Sequence, residues 1–193
     1  MKISRLLNSI ILFSSFLFLP CNAFAQEQQP VGPFEFEISA GLTMPLGGYH
    51  GGSNHVGALI GMEGRYNFAN LPISVGGLLD LTTAVHEYPM VGSTNFYEQS
   101  NRTLSLAVVA DYNFNRGRSV SVFAGGGLGY AFNDCVGDVR FNSAGSSMAF
   151  IPRCGVELFN WVRITFSSHI SRHGYNNASI SIGLCLGGKP KAY

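Results

Sequence analysis

The chain has 193 residues, of which 46% are hydrophobic and only 12% are charged, with a formal net charge of +1. Soluble domains carry about 25% charged residues, so this composition is poor in the groups that keep a soluble surface hydrated. The near-zero net charge gives no reason to expect a nucleic-acid partner.

The first 25 residues have the pattern of a secretory signal peptide. Lys2 and Arg5 precede an apolar run, and residues 23–25 (Ala-Phe-Ala) supply the small residues of a cleavage site. We predict a signal peptide over residues 1–25 and a single mature domain over residues 26–193, which is an ordinary domain size.

Apolar and polar residues alternate from Phe34 onward. From Phe34 to Met44 every second residue is apolar, and the residues between are Glu, Ser, Gly or Thr. A strand with one apolar and one polar face has this period of two. The length suits a tilted strand that crosses a bilayer, which needs about 9–11 residues. Seven further predicted strands repeat the pattern: Val56–Phe68, Ile73–Val85, Arg102–Phe114, Val120–Phe132, Ser147–Leu158, Trp161–Arg172 and Ala178–Leu186.

Short and long connections alternate between the predicted strands. The short turns contain Asn70, Arg116 and Asn160, and the long loops surround His50, Met90, Val136 and Tyr175. Outer-membrane barrels have short periplasmic turns and long outer loops, which orients the chain. Residues 87–101 and 133–146 are predicted as the longest outer loops. Pro152 lacks an N–H, so we predict a bulge or bend there.

Charged residues are confined to one face of the predicted strands. The apolar faces carry no Asp, Glu, Lys or Arg, and a charge facing hydrocarbon is expensive. No stretch after the signal peptide is apolar for 18 residues, so a closed barrel is the remaining way to satisfy backbone groups in lipid. The predicted fold is all-β, an eight-stranded antiparallel up-and-down transmembrane β-barrel in the outer membrane. A soluble β-sandwich is the alternative.

Aromatic residues mark the strand ends. A Tyr-x-Phe pattern predicts an aromatic girdle at the membrane surface. Its members are Tyr66/Phe68, Tyr112/Phe114 and Tyr130/Phe132, together with Phe34, Phe36, Phe159 and Trp161.

The inward charges are predicted to form a packed salt-bridge network, because an eight-stranded barrel is only wide enough for side chains to fill. A lone buried charge would be costly, so each needs a partner. The predicted members are Glu37, Glu63, Arg65, Asp80, Asp111, Arg153, Glu157 and Arg163. A narrow ion pathway through the same residues is the alternative.

All five histidines fall on predicted outer loops or outer strand ends, and neutral imidazoles bind divalent metals. A rim metal site would use His50, His55, His86, His169 and His173. Chance placement in polar loops is the simpler interpretation, so we expect no metal or other cofactor.

Three cysteines belong to the mature domain, namely Cys135, Cys154 and Cys185. Strand parity directs Cys154 to the apolar face and Cys185 to the polar face, so we expect no disulfide between them.

These patterns resemble those of the small outer-membrane β-barrel superfamily, which includes the OmpX-like proteins, the transmembrane domain of OmpA and the opacity proteins. The resemblance covers Phe34 to about Leu186. It implies a non-enzymatic protein that serves envelope structure or surface interaction, with a narrow channel as the alternative. It also implies contact with membrane lipids, lipopolysaccharide and the insertion machinery, and an unknown surface ligand. We expect a monomer. The family's last strand usually ends in an aromatic residue, whereas this one ends in Gly187-Gly188.

The predicted outer loops are rich in aromatic residues, which are enriched at interfaces. We predict loop contacts through Tyr49, Tyr88, Phe96 and Tyr97.

One local pattern is similar to the barrel lipid A deacylases, whose His-x-Ser uses the His to activate a Ser nucleophile. His169-x-Ser171 has this spacing, but both residues face inward, Arg172 replaces an Asn, and no acid follows Glu157. We therefore expect no enzymatic activity.

Overall fold

The computed structural model describes residues 31–46, 53–69, 71–89, 96–137, 144–171 and 175–190, with backbone only at 88, 89 and 96. The predicted signal peptide and residues Tyr49, His50 and His173 lie outside these ranges. The described residues form β1 (Phe34–Pro45), β2 (Ser53–His55), β3 (Gly57–Asn67), β4 (Ile73–Pro89), β5 (Phe96–Phe114), β6 (Val120–Gly137), β7 (Gly145–Leu158), β8 (Val162–His169) and β9 (Asn177–Gly187).

Eight of these strands close into an antiparallel barrel. The order around the wall is β4-β3-β1-β9-β8-β7-β6-β5, and the pairing of β5 with β4 completes the ring. The short β2 extends the line of β3 beyond Val56 and pairs only with the outer end of β4 among the described residues. The predicted eight-stranded barrel is confirmed. No helix in the described ranges is long and apolar enough to cross a membrane.

Side chains alternate between the two faces of the wall, with the apolar set outside. On β9, Ile182 and Leu184 are 60% and 61% exposed, whereas Ser181 and Cys185 are 6% and 0% exposed. A wall that is apolar outside and polar inside is the arrangement of a transmembrane barrel.

The aromatic girdle is present at the periplasmic end. The rings of Phe34 and Tyr66 lie 5.4 Å apart, and those of Tyr66 and Phe68 lie 5.2 Å apart, in edge-to-face contact. The periplasmic turn between β7 and β8 is tight. Its residues Phe159 and Asn160 have positive φ angles of 57° and 55°. Left-handed residues of this kind match the twist of a short hairpin.

The predicted long loop over residues 87–101 is wrong. β4 and β5 continue through this segment in unbroken register to the pair Pro89↔Phe96. The second predicted loop, residues 133–146, is shorter as well, since β6 extends to Gly137 and β7 begins at Gly145. Strands that project beyond the membrane need no apolar face, so polar composition here does not indicate a loop.

The second predicted strand is divided at Val56. β2 pairs His55 with Val85, whereas β3 pairs Leu59 with Thr82, so one extra residue lies on this side. Such an insertion is a β-bulge, which bends the strand at the barrel rim.

Pro152 produces no bulge, which was one of the two predicted outcomes beside a local bend. The pairs Arg153↔Ser167 and Phe150↔Ile170 have the same register, and the ladder between β7 and β8 is interrupted between them. Phe150 and Ile170 exchange both backbone hydrogen bonds, at 2.8 and 2.9 Å. The nitrogen of Pro152, two residues on, therefore faces β8 without a hydrogen to donate, which explains the gap.

Candidate functional site: the barrel interior and the outer extension

Arg153 is the centre of the charged interior. Its Nε and Nη2 donate to the two carboxylate oxygens of Asp111 at 2.8 and 2.6 Å. Its Nη1 and Nη2 donate to the two oxygens of Glu63 at 2.5 and 2.8 Å. Since Glu63 lies on β3, Asp111 on β5 and Arg153 on β7, these bonds cross the lumen.

Arg65 binds three acids on β1 and β3. Its guanidinium lies 2.5 Å from Glu35, 2.9 Å from Glu37 and 3.2 Å from Glu63. The arrangement joins Arg65 to the Arg153 cluster through the shared Glu63 carboxylate. Paired, hydrogen-bonded charges are the form in which ionised groups tolerate burial.

Arg163 completes the set from β8. Its Nη2 lies 2.5 Å from Asp111 Oδ2, and its Nη1 lies 3.9 Å from Glu157 Oε2. Its guanidinium carbon lies 3.4 Å from the centre of the Phe123 ring. The sequence analysis did not single out Phe123, an aromatic residue on a polar face. The one sequence feature related to Phe123 is Gly155, its partner on β7. A Cβ at position 155 would lie 2.7 Å from the Phe123 ring, so a glycine there leaves room for the ring.

Acids outnumber arginines inside the barrel. Six carboxylates face inward against four buried arginines, a difference of 6 − 4 = 2 negative charges among the described residues. The acids are Glu35, Glu37, Glu63, Asp80, Asp111 and Glu157, and the arginines are Arg65, Arg153, Arg163 and, at the periplasmic end, Arg116. The interior is therefore electronegative.

Asp80 stands apart from the arginines, although the sequence analysis placed it in the same network. Its Oδ2 lies 2.8 Å from Nε2 of His169 across the lumen. The neighbouring contact joins Asn177 Nδ2 to Thr82 Oγ1 at 3.2 Å. Two stacked polar bridges thus connect β4 with β8 and β9 in the outer half of the barrel.

The contact with Asp80 also orients the His169 ring. The sequence analysis did not predict this pair, because the two residues are 89 positions apart in the chain. His169 is only 1% exposed and is enclosed by the wall, so its ring cannot meet an acyl chain outside the barrel. Ser171 Oγ has no hydrogen-bond partner among the described residues. The His-x-Ser pattern is therefore not assembled as a nucleophile and base.

The described histidines occupy three separate environments. His55 lies 3.0 Å from Glu87 on the exposed surface, and the Nδ1 atom of His86 lies 2.9 Å from Asn54 Oδ1. Burial lowers the pKa of His86. His169 is inside the barrel, so these three rings do not form one rim site.

One group of three possible metal ligands occurs among the described residues. Atoms of Glu35, Glu157 and Cys185 lie within 4.8 Å of one another. Arg65 Nη2 is only 3.5 Å from Cys185 Sγ, so a guanidinium already supplies positive charge where a metal would bind.

Cys154 and Cys185 are free thiols on opposite faces of the wall, as strand parity predicts. Cys154 is exposed on the outer wall, and Cys135 and Cys185 are buried.

The strands project beyond the apolar band as an outer extension, which we define as β2 with residues 85–89, 96–101 and 134–137. Tyr88 pairs with Tyr97 and Pro89 pairs with Phe96 along its backbone. Glu87 stands directly opposite Glu98. Residues 134–137 continue the pairing of β6 with β5, as far as Gly137↔Gln99.

Two small cavities of about 30 and 10 Å³ lie in the interior, each lined by described residues. A water needs about 10–15 Å³ by this measure, so they accommodate roughly two waters and one.

The comparisons agree with this architecture. Residues 11–184 match the family described as outer membrane protein beta-barrel domain. Among curated proteins, none matches the chain significantly. The solved structure of Ail from Yersinia pestis in a phospholipid bilayer nanodisc is similar, with 16% identity, 79% of this chain and 99% of that chain covered, and a TM-score of 0.51.

Two further structures show the same kind of likeness at low identity. OprG from Pseudomonas aeruginosa is 10% identical, with 83% of this chain and 99% of that chain covered and a TM-score of 0.49. Neisserial surface protein A is 14% identical, with 81% and 98% covered and a TM-score of 0.49. The family match extends over most of the chain and coincides with the barrel. The chain belongs to the outer membrane protein beta-barrel domain family and is an integral protein of the outer membrane.

Proposed function

We propose that this barrel binds a macromolecular partner at the cell surface through its outer extension, and that it is neither an open pore nor an enzyme. The observation that carries the proposal is the length of the β4–β5 hairpin. Its last large lipid-facing residues, Leu81 and Leu104, are paired, and both strands continue beyond them to Pro89 and Phe96. A rigid sheet outside the membrane is a surface for recognition.

The charge of the outer extension suggests the chemistry of the partner. Its exposed or half-exposed charged side chains include Glu87, Glu98 and Asp134 against Arg102. This charge favours a neutral or basic polypeptide over a polyanion such as heparin.

The packed interior is the argument against a pore. Arg153 and Arg163 bind acids across the lumen, and the cavities of about 30 and 10 Å³ are too small for a water-filled channel. We expect no stable conductance in planar bilayers, and conductance like that of a porin would contradict this part of the proposal.

The test removes the hairpin and leaves the barrel. Residues 85–100 are replaced by Asn-Gly, which forms a two-residue turn between the paired residues Ala84 and Asn101. Cells that display the wild type are expected to adhere to a panel of immobilised extracellular-matrix proteins, and cells that display the shortened variant are not.

Heat-modifiable gel mobility provides the control, because a folded barrel migrates differently before and after boiling. Full adhesion by a folded, shortened barrel would overturn the proposal, and so would adhesion to heparin alone.

A further inference from the structure

The cavity of about 30 Å³ lies between the Asp80–His169 pair and the Arg153 cluster. Its lining combines carboxylate and hydroxyl groups with the apolar side chains of Leu59, Leu78 and Ile151. The polar members include Glu37, Ser39, Asp80 and Ser181. Its volume is that of roughly two waters. A chamber of this size can hold a small ion together with one water.

Gly61 allows two of the polar lining residues to lie close together. Ser39 and Asp80 flank Gly61 in one cross-strand row, on β1 and β4. A Cβ at Gly61 would lie 3.0 Å from Ser39 Oγ and 3.3 Å from the Asp80 Cβ. A side chain at this position would therefore displace the hydroxyl or the carboxylate.

Asp80 supplies a carboxylate oxygen that the described protein atoms do not satisfy. The residue is only 4% exposed, and Oδ2 is bonded to His169. Oδ1 has no hydrogen-bond partner among the described residues. Buried polar atoms normally have partners, and an ionised oxygen without one is especially costly.

The surrounding charge favours a cation in this place. Among the described residues, the interior has two more carboxylates than arginines, and Arg116 lies at the far, periplasmic end. Arg153 also lines the cavity, but its guanidinium is already bonded to both oxygens of Glu63 and of Asp111. It is therefore not available to recruit an anion.

We propose that this cavity binds a monovalent hard cation such as Na⁺, with Asp80 Oδ1 and the hydroxyl oxygens of Ser39 and Ser181 as ligands. Hard cations prefer oxygen ligands, and divalent ions are usually held by several carboxylates. Glu37 and Glu63 are each paired with an arginine, Arg65 and Arg153. Among the described residues, Asp80 is therefore the lining carboxylate that has no guanidinium partner and is left for the ion.

Thermal unfolding of the folded barrel in phospholipid vesicles tests the proposal. The midpoint is measured in NaCl, in KCl, in MgCl₂ and in N-methylglucamine chloride at equal ionic strength. A ligand that binds only the folded state stabilises it by mass action. We expect the wild-type midpoint to rise saturably with Na⁺ and to stay lower in N-methylglucamine at every concentration.

Two variants should abolish this dependence by different routes. Asp80→Asn removes the charged ligand, and Gly61→Ala displaces the ligands Ser39 and Asp80, which a Cβ at position 61 would crowd. Gly77→Ala is the matched control, because a Cβ there meets nothing within 4 Å, and it should respond to Na⁺ like the wild type. Heat-modifiable mobility establishes that each variant is folded.

The broadening of the ²³Na NMR line on addition of the folded wild-type barrel is an independent readout, and Asp80→Asn should lose it. Equal wild-type midpoints in Na⁺ and N-methylglucamine would overturn the proposal. A Na⁺ response retained by folded Asp80→Asn and Gly61→Ala, or a response to Mg²⁺ alone, would overturn it as well.

Discussion

The partners of the inward charges are set by residues far apart in the chain. Glu63 and Arg153 are 90 positions apart and Asp111 and Arg153 are 42 apart, yet each pair is bonded. Strand parity predicts that these side chains face inward. It cannot predict which acid meets which arginine, because that depends on how the closed ring brings opposite walls together. This is why Asp80 was assigned to the arginines and is instead bonded to His169.

Arg153 should be the most sensitive of the interior charges. Arg153→Met leaves Glu63 and Asp111 without a cation that bonds both, and removal of one partner from a buried ion pair typically costs about 3–5 kcal/mol. We expect a loss of this size in the free energy of unfolding, measured by urea titration in lipid vesicles.

The control is Arg102→Met on the exposed outer surface, where a change of less than about 0.5 kcal/mol is expected. Equal effects of the two substitutions would show that Arg153 is not a structural centre.

Among the strands, β7 has a local interruption in its pairing with β8. Pro152 removes one backbone donor toward β8, and the ladder is interrupted there without a change of register. The sequence identifies the missing donor. It does not distinguish a bulge from a gap, because that depends on whether the neighbouring strand keeps its spacing.

Restoring the donor should close the gap. Pro152→Val supplies an N–H that can bond the Ser168 carbonyl, and one such bond contributes about 0.5–1.5 kcal/mol. We expect a new slowly exchanging amide at position 152 by hydrogen-exchange NMR and a higher free energy of unfolding. The amide of Ile151 in the same sample is the internal reference. Rapid exchange at position 152 in a folded barrel would show that the gap has another cause.

The outer hairpin should respond to pH through His86. Burial lowers the pKa of this imidazole in the folded state, so the opened hairpin binds a proton more readily than the closed one. The contribution of neutral His86 to the stability of the hairpin is therefore fully present above the unfolded pKa of about 6.5. It is lost as the pH falls through that value toward the lower pKa of the folded state.

Hydrogen exchange of residues 85–100 between about pH 7.5 and 5.5 measures this effect. The wild type should exchange faster at the lower pH after correction for intrinsic rates, and His86→Gln should change less. His55→Gln, at the exposed His55–Glu87 contact, should retain the wild-type response. An unchanged pH response in His86→Gln would assign the effect to other groups.

At the scale of the whole molecule, the sequence predicts the barrel well and its outer parts poorly. Within the membrane, a residue that faces lipid must be apolar, whereas the next residue faces the polar interior. The alternation of apolar and polar residues therefore predicts which side chains of β1 and β9 lie on each face. Beyond the apolar band both faces of a strand meet water, and alternation no longer marks structure. The extension of β4, β5 and β6 was missed for this reason.

The central claim is that the apolar face of the wall contacts hydrocarbon and the charges are enclosed. A phospholipid with a diazirine in its acyl chain tests it on the unmodified protein in bilayers, with adducts mapped by mass spectrometry. We expect adducts on Ile180, Ile182 and Leu184, and none on Ser179 or Ser181 of the same strand. Adducts on the two serines, or on Arg153 and Glu63, with the isoleucines unlabelled, would contradict the account.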